Sequence, residues 1–221
     1  ISPTPDAKSI FYLFTVGEGV VGTILNLSTG TKTQVFDSAF TEWLSLWPNS
    51  KTVTLTTKPS SLVAGYMYKL DTTTKSFSQI LGNVNGLTTL TSPDGKMVLY
   101  GDNNLSLRVY ETETKETALF GVRTLPEKCV WAKTGSLIYC SVPKSSSPLP
   151  YPDAWYQGQT SFNDQIWKID PIAGNAEIIA DISALSEGED VDGIKLALDE
   201  KENYLFFVNK KDSFLWELRL R

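Results

Sequence analysis

The fold is decided by the stretch Ser92-Pro93-Asp94-Gly95-Lys96-Met97-Val98-Leu99-Tyr100. Pro, Asp and Gly supply the geometry of a tight turn, and the apolar residues that follow have the composition of a β-strand. The same pattern of a turn followed by a strand recurs along the chain. The other turns are residues 5–8, 48–51, 133–136 and 199–202, and their strands are residues 10–14, 53–56, 137–140 and 204–208.

A second motif comes later in each unit, and its first and fourth residues are always apolar or aromatic. Its copies begin at Ile24, Met67, Leu107, Ile166 and Leu215, which gives spacings of 43, 40, 59 and 49 residues. A period of about 40–50 residues is typical of the four-stranded antiparallel blade of a β-propeller. We therefore predict an all-β, five-bladed β-propeller. The alternative is a β-sandwich whose turns recur by coincidence.

The repeats predict a single domain over residues 1–221, with blades at about 1–38, 39–83, 84–122, 123–182 and 183–221. The first blade has almost no strand before Pro5, and the last stops after its third strand and is predicted to be incomplete within this chain. A propeller ring closes when one terminus completes the last blade, because this removes an unpaired edge. We expect either an open edge, to which a second copy could add a strand, or a strand supplied from upstream of Ile1.

The turn at residues 92–96 and the apolar strand after it resemble the repeat of TolB-type and WD-repeat-like bacterial propellers. Residues 151–156 and 123–129 are similar to segments of uncharacterised bacterial surface propellers. The resemblance covers nearly the whole chain and implies the fold. It implies no activity, because one fold carries many unrelated functions.

Composition excludes several classes of function. A net charge of −5 and a pI near 4.9 argue against nucleic acid or an anionic membrane as partner, because phosphate binding needs clustered Lys and Arg. The chain contains no histidine, which removes Ser–His–Asp and Cys–His catalysis and the commonest zinc ligand. We predict no catalytic residue, no metal ligand and no cofactor, with a Ca²⁺ site as the alternative.

The two cysteines lie symmetrically about the turn at residues 133–136. Counting outward from this turn places Cys129 directly opposite Cys140 on one face of a hairpin, at about 4.5–5.5 Å between β-carbons. The alternative is a pair of reduced, buried thiols. We predict a disulfide, and with it an exported protein that is extracellular or on the cell surface, since disulfides persist in oxidising compartments. A segment upstream of Ile1 would then serve as signal or anchor.

The clearest departure from the repeat is an insertion at residues 143–163, after the second strand of the fourth blade. Four prolines stiffen it, and long loops without secondary structure are commonly functional or disordered. Its aromatic residues suit interface anchors or sugar-stacking platforms, and the alternative is that they fold back as a plug. The predicted binding residues of this insertion are Tyr151, Asp153, Trp155, Tyr156 and Phe162.

Acidic residues precede the predicted innermost strands, at Glu42, at Glu127 and in the run from Glu187 to Asp192, which includes Asp190. We expect them at the mouth of the central channel. Three interpretations compete: solvated loop charges, a site for a hard cation such as Ca²⁺, and an acid/base pair for glycoside hydrolysis. The run lacks the spacing of a calcium-binding loop.

These patterns favour a secreted or surface-held scaffold that binds a protein or glycan through the insertion. Two alternatives stay open. One is a carboxylate-based, glycoside-cleaving enzyme at the channel mouth, and the other is a structural surface or filament subunit that associates through an open blade edge.

Overall fold

The computed structural model describes residues 1–185 and 188–220 and shows an all-β protein of five antiparallel sheets. Four of these sheets have four strands and the fifth has three, and within each sheet the strands are paired in chain order. Each sheet is a blade, so the predicted number of blades is confirmed. The described sheets do not close into a ring.

The strands follow the predicted period. The first sheet is β1 (Ser2–Pro3), β2 (Ser9–Val16), β3 (Gly19–Asn26) and β4 (Lys32–Ser38), and the second is β5 (Trp43–Asn49), β6 (Thr52–Thr57), β7 (Ala64–Asp71) and β8 (Phe77–Asn85). The third is β9 (Thr88–Thr91), β10 (Met97–Gly101), β11 (Ser106–Glu111) and β12 (Thr117–Arg123). The fourth is β13 (Cys129–Trp131), β14 (Ile138–Pro143), β15 (Asp164–Asp170) and β16 (Asn175–Asp181), and the fifth is β17 (Gly193–Leu198), β18 (Tyr204–Asn209) and β19 (Leu215–Arg219).

Two short helices interrupt the strands, α1 (Asp153–Tyr156) within the insertion and α2 (Ile182–Leu185) after the fourth sheet. The first blade has only a two-residue innermost strand before Pro5, where almost no strand was predicted, and β1 completes that sheet by pairing with β2. The described part of the fifth sheet ends with its third strand, as predicted. No helix in the described residues is long and apolar enough to cross a membrane.

The turn at residues 92–96 has the geometry that its sequence predicts. Gly95 takes a φ of +78°, a conformation that costs glycine little. The Asp94 carboxylate accepts hydrogen bonds from the Ser92 hydroxyl at 2.6 Å and from the Lys96 backbone N–H at 3.0 Å. The turn therefore fixes the antiparallel register of β9 and β10 through bonds made within five residues.

Apolar side chains form four cores, each between two successive sheets, as expected when a blade buries its faces only against its neighbours. Representative pairs across these interfaces are Phe11 with Val53, Met67 with Val98, Leu99 with Ile138, and Ile166 with Leu205, all fully buried. Trp167 and Trp216, at matching third-strand positions, pack against two of these cores. A fifth core lies beneath the insertion.

The predicted disulfide is present. Cys129 is the register partner of Cys140, with Val130 opposite Tyr139 and Trp131 opposite Ile138, and the two sulfur atoms are bonded. Both cysteines are buried between the third and fourth sheets. Because disulfides persist in oxidising compartments, the bond points to a location outside the reducing cytosol.

Candidate binding site at the channel mouth

The chain enters the innermost strands β5, β9, β13 and β17 at one end of the sheets, which we call the channel mouth. Strand β13 begins there and β14 runs antiparallel to it, so the insertion that follows β14 also emerges at the channel mouth. A 3₁₀ turn, Pro126–Lys128, leads into β13 and sets Glu127 and Lys128 at this end.

The insertion folds back onto the protein. Tyr151, Trp155 and Phe162 are only 3, 5 and 3% exposed and pack with Leu105 and Leu125. These three aromatic rings therefore fold back against the protein, as in the alternative interpretation, in which the aromatic residues of the insertion form a plug. The predicted role of the insertion in binding a partner stays a prediction, and Tyr156, which is 40% exposed, is its accessible aromatic residue.

The insertion also links three other blades. The Asp153 carboxylate accepts a hydrogen bond from the Ser61 backbone N–H of the second blade at 2.5 Å. The Lys210 Nζ of the fifth blade donates to the Trp155 backbone carbonyl. Gly86 precedes the third blade and has a φ of +69°. The insertion passes so close to it that a Cβ on Gly86 would lie 2.9 Å from the Tyr151 carbonyl oxygen. The insertion thus holds neighbouring blades together across the channel mouth.

A fully buried lysine lies beneath the insertion. The Lys128 Nζ donates to Asp164 Oδ2 at 2.7 Å and also to Asp192 Oδ1, and all three side chains are inaccessible to solvent. Asp164 is the first residue of β15, and Asp192 immediately precedes β17. The three charges therefore join the fourth blade to the fifth.

Aromatic rings complete the surroundings of Lys128. Its Nζ lies 5.4 Å from the Trp155 ring centroid and 5.2 Å from that of Phe162, within the range of cation–π attraction. The Trp155 indole N–H donates to Asp192 Oδ2 at 2.8 Å, and the Phe162 backbone N–H donates to the same oxygen at 3.1 Å. Two N–H groups of Lys128 and both carboxylate oxygens of Asp192 are thus bonded to protein groups, which gives these two residues a structural role.

Burial and charge oppose each other at the two aspartates. Desolvation raises the pKa of Asp164 to about 6, against the favourable charge of Lys128. At Asp192 burial also disfavours ionisation, but the Lys128 charge and several hydrogen bonds outweigh it and hold the pKa below its ordinary value. At neutral pH both carboxylates are therefore mainly ionised around one lysine.

Glu127 differs from the other predicted acidic residues. Its carboxylate accepts a hydrogen bond from the Tyr156 hydroxyl, and no Lys or Arg nitrogen of the described residues lies within ion-pair distance. The Glu127 side chain is exposed over part of its surface, but protein atoms surround much of its carboxylate. Because this loss of solvent disfavours the charged form, it raises the pKa of Glu127. Desolvation and the neighbouring Glu127 charge also raise the pKa of Tyr156, so its hydroxyl remains the donor.

Glu127 lines a cavity of about 170 Å³ between the innermost strands of the second and third blades. The apolar part of its wall is Leu44, Leu46 and Leu90, and the other lining residues are Ser45, Thr54, Thr56, Thr88 and Thr89. The Thr88 hydroxyl is buried and has no hydrogen-bond partner among the described residues. Sites for small molecules usually measure about 300–1,000 Å³, so this cavity admits a side chain or an end group.

The other predicted acidic residues are paired elsewhere. Glu42 is exposed and forms an ion pair with Lys58 at 2.6 Å, and it does not line the cavity. Asp190 is exposed and lies 3.6 Å from Lys211 Nζ. Glu187, in the same run, lies outside the described residues. In residues 1–185 and 188–220, no three His, Cys, Asp or Glu side chains are placed to share a metal ion.

Sequence reasoning missed Lys128, Asp164 and Lys210. The position of Lys128 directly before an innermost strand places it at the channel mouth, but this position alone does not indicate that the lysine is buried. Its burial depends on Asp164 and Asp192, which are 36 and 64 residues away in the chain.

No protein-family model matches the chain, and no curated protein matches it. Several solved β-propeller structures do. TolB from Acinetobacter baumannii is 15% identical with a TM-score of 0.63, over 99% of this chain and 53% of its own length. An oligogalacturonate lyase from Vibrio parahaemolyticus is 11% identical with a TM-score of 0.64, over 98% and 63%. The β-propeller domain of the Trilobed protease from Pyrococcus furiosus, which has an open velcro topology, is 9% identical with a TM-score of 0.64, over 100% and 66%.

These similarities define a TolB-like β-propeller fold and confirm the resemblance that the turn motif carries. The identities are too low to transfer more than the fold. The chain spans 53–66% of the length of these three proteins. A lyase and a protease domain are among them, so the fold does not select between binding and catalysis.

Proposed function

We propose that this chain is an exported, non-catalytic binding module that recognises a protein or glycan partner at the channel mouth. The observation that supports this most strongly is the Glu127–Tyr156 pair beside the cavity. Both residues are exposed, and Glu127 has no cationic partner among the described residues. The disulfide supports export. The insertion then acts as the support that holds Tyr156 against Glu127.

The state of the carboxylates favours binding over glycoside cleavage. An acid/base pair needs two carboxyl groups about 5–10 Å apart that are free to act on the substrate. Asp192 is occupied by Lys128, Trp155 and Phe162, and Glu42 and Asp190 each lie beside a lysine. Among the acidic residues predicted at the channel mouth that the structure describes, only Glu127 is therefore available to act on a substrate.

Selection of ligands from libraries tests the proposed function. The disulfide-intact protein is screened against a random peptide display library and a glycan array. The variant Leu44→Arg places a long side chain at the cavity, and Leu62→Arg is its control, because Leu62 is 86% exposed in the loop between β6 and β7 and does not line the cavity. We expect the selected ligands to bind Leu44→Arg at least about tenfold more weakly and Leu62→Arg as tightly as the native protein. Equal binding to all three proteins would contradict a site at the channel mouth.

The enzyme alternative has its own test. A panel of glycans that includes oligogalacturonates is incubated with the native protein and with Glu127→Gln, and product formation is followed by chromatography. We expect no turnover by either protein. Turnover by the native protein that Glu127→Gln removes would replace the binding proposal with the enzyme one.

A role in self-association remains a further prediction. The side chains of Phe214 and Leu215, at the start of β19, are each 69% exposed. Light scattering coupled to size-exclusion chromatography over a range of concentrations tests it. A structural subunit would form oligomers as the concentration rises, and a monomer at every concentration would exclude that role.

A further inference from the structure

One carboxylate oxygen of Glu127 is available to a ligand. Oε1 accepts the Tyr156 hydroxyl, and Oε2 accepts no hydrogen bond from the described residues. A carboxylate only accepts hydrogen bonds, so the ligand group that meets it must donate. Hydrogen bonds between a cation and a carboxylate are roughly twice as strong as neutral ones, which favours a positively charged donor.

The net charge of the surrounding groups is compatible with a cation. Two lysines lie near Glu127, Lys128 and Lys210, and both lower its pKa. Lys128 is neutralised by Asp164 and Asp192. Together with Glu127 the cluster has three carboxylates and two lysines, so it carries one excess negative charge when all five groups are ionised.

The geometry favours an ammonium over a guanidinium group. Arginine binds carboxylates most strongly through two parallel hydrogen bonds, one to each oxygen. The Tyr156 hydroxyl already takes one acceptor site of Glu127 Oε1, so an arginine would have to share that oxygen, whereas Oε2 has no partner among the described residues. An ammonium is compact, and its three donors rotate to suit separate acceptors, here Oε2 and polar groups of the residues that line the cavity.

The cavity wall suits the stem of such a group. Leu44, Leu46 and Leu90 give an apolar surface of the kind along which alkyl chains of charged residues lie while the head group finds polar partners. The volume of about 170 Å³ is sufficient for one alkyl chain and its head group.

We propose that the cavity beside Glu127 binds a primary alkylammonium group, presented by a lysine side chain or by the amino terminus of a protein partner. This inference rests on the proposed function and narrows the partner from protein or glycan to protein.

Small probes test it without knowledge of the partner. Nα-acetyl-lysine methylamide carries a side-chain ammonium, norleucine methylamide carries only an amino-terminal one, and Nα-acetyl-norleucine methylamide is neutral. Binding is followed by the NMR shifts of the methyl groups of Leu44, Leu46, Thr89 and Leu90. We expect one or both ammonium probes to bind at least about tenfold more tightly than the neutral probe, and the stronger of the two identifies the source of the ammonium.

Variants then assign the contact to Glu127. We expect Glu127→Gln to weaken the ammonium probes about tenfold and to leave the neutral probe unchanged, while Glu42→Gln changes neither. If Glu127→Gln does not fold, the native protein is titrated at decreasing pH, where protonation of Glu127 must abolish the preference for ammonium.

The outcomes separate the two proposals. If the neutral probe binds as tightly as the ammonium probes, the cavity is a binding site but the ammonium inference is wrong. The same holds if Glu127→Gln, or low pH, leaves the preference for ammonium unchanged. If no probe shifts the cavity methyl groups, and Leu44→Arg leaves the selected ligands bound, the proposed function fails with it.

Discussion

Lys128 and Asp192 form an ion pair in which both side chains are inaccessible to solvent. Lys128 precedes the innermost strand of the fourth blade, and Asp192 precedes that of the fifth. The pair lies beneath Trp155 and Phe162, so the charges that join these two blades also fix the insertion. The position of Tyr156 at the channel mouth depends on this buried contact.

The first prediction concerns Lys128. Lys128→Met keeps most of the length of the side chain and leaves Asp164 and Asp192 buried without their cation, so we expect a loss of about 3–5 kcal/mol in the free energy of unfolding. Urea denaturation followed by tryptophan fluorescence measures it. Lys144→Met, directly after β14 in the same blade, is the matched control, because its ion pair with Asp181 is partly exposed and worth much less. Similar losses for the two variants would contradict a special role for the buried pair.

The second prediction distinguishes two adjacent residues of the insertion. Trp155→Ala removes a buried side chain and is expected to cost about 3–5 kcal/mol of stability. Tyr156→Ala removes an exposed one, so we expect it to change stability by less than about 1 kcal/mol and to weaken ligand binding. Thermal unfolding of both variants, with ligand titration of Tyr156→Ala, measures these effects. Equal stability losses would show that α1 is packed differently.

The third prediction follows from the raised pKa of Asp164. Its folded-state pKa of about 6 lies above the ordinary value of 3.8, so the folded protein binds this proton more tightly than the unfolded chain. The stabilisation from this proton is complete below about pH 3.8 and is lost as the pH rises through about 6. Relative to Asp164→Asn, the native protein should therefore lose stability between pH 4 and pH 7. A stability difference that is independent of pH would contradict the raised pKa.

The fourth prediction concerns the disulfide. Cys129→Ala with Cys140→Ala, or reduction of the native protein, is expected to lower the free energy of unfolding by about 2–3 kcal/mol, because the closed loop is short. Chemical denaturation with and without dithiothreitol measures this. Titration of the denatured, unreduced protein should detect no free thiol, and detection of two would mean that the bond does not form.

The blades and the disulfide were predictable because their determinants are local. The turn at residues 92–96 is fixed by hydrogen bonds within five residues, and the register of Cys129 with Cys140 follows from the length of one hairpin. Repetition of such local signals along the chain gave the number of blades and the positions of the strands.

The candidate site was predictable only in part. The position of Glu127 before an innermost strand indicated the channel mouth, but nothing in the sequence distinguished it from Glu42 and Asp192. Their difference lies in their partners, Tyr156, Lys58 and Lys128, which are set by tertiary packing over distances of 16–64 residues along the chain. Burial of the aromatic residues of the insertion also depends on contacts with other blades, which a local pattern does not specify.

Recognition of the partner is assigned to Glu127 at the channel mouth. Isothermal titration calorimetry of a ligand selected on the native protein, repeated with Glu127→Gln and with Glu42→Gln, measures this contribution. We expect the affinity to fall about tenfold or more for Glu127→Gln and to be unchanged for Glu42→Gln. Equal affinities for all three proteins would contradict it.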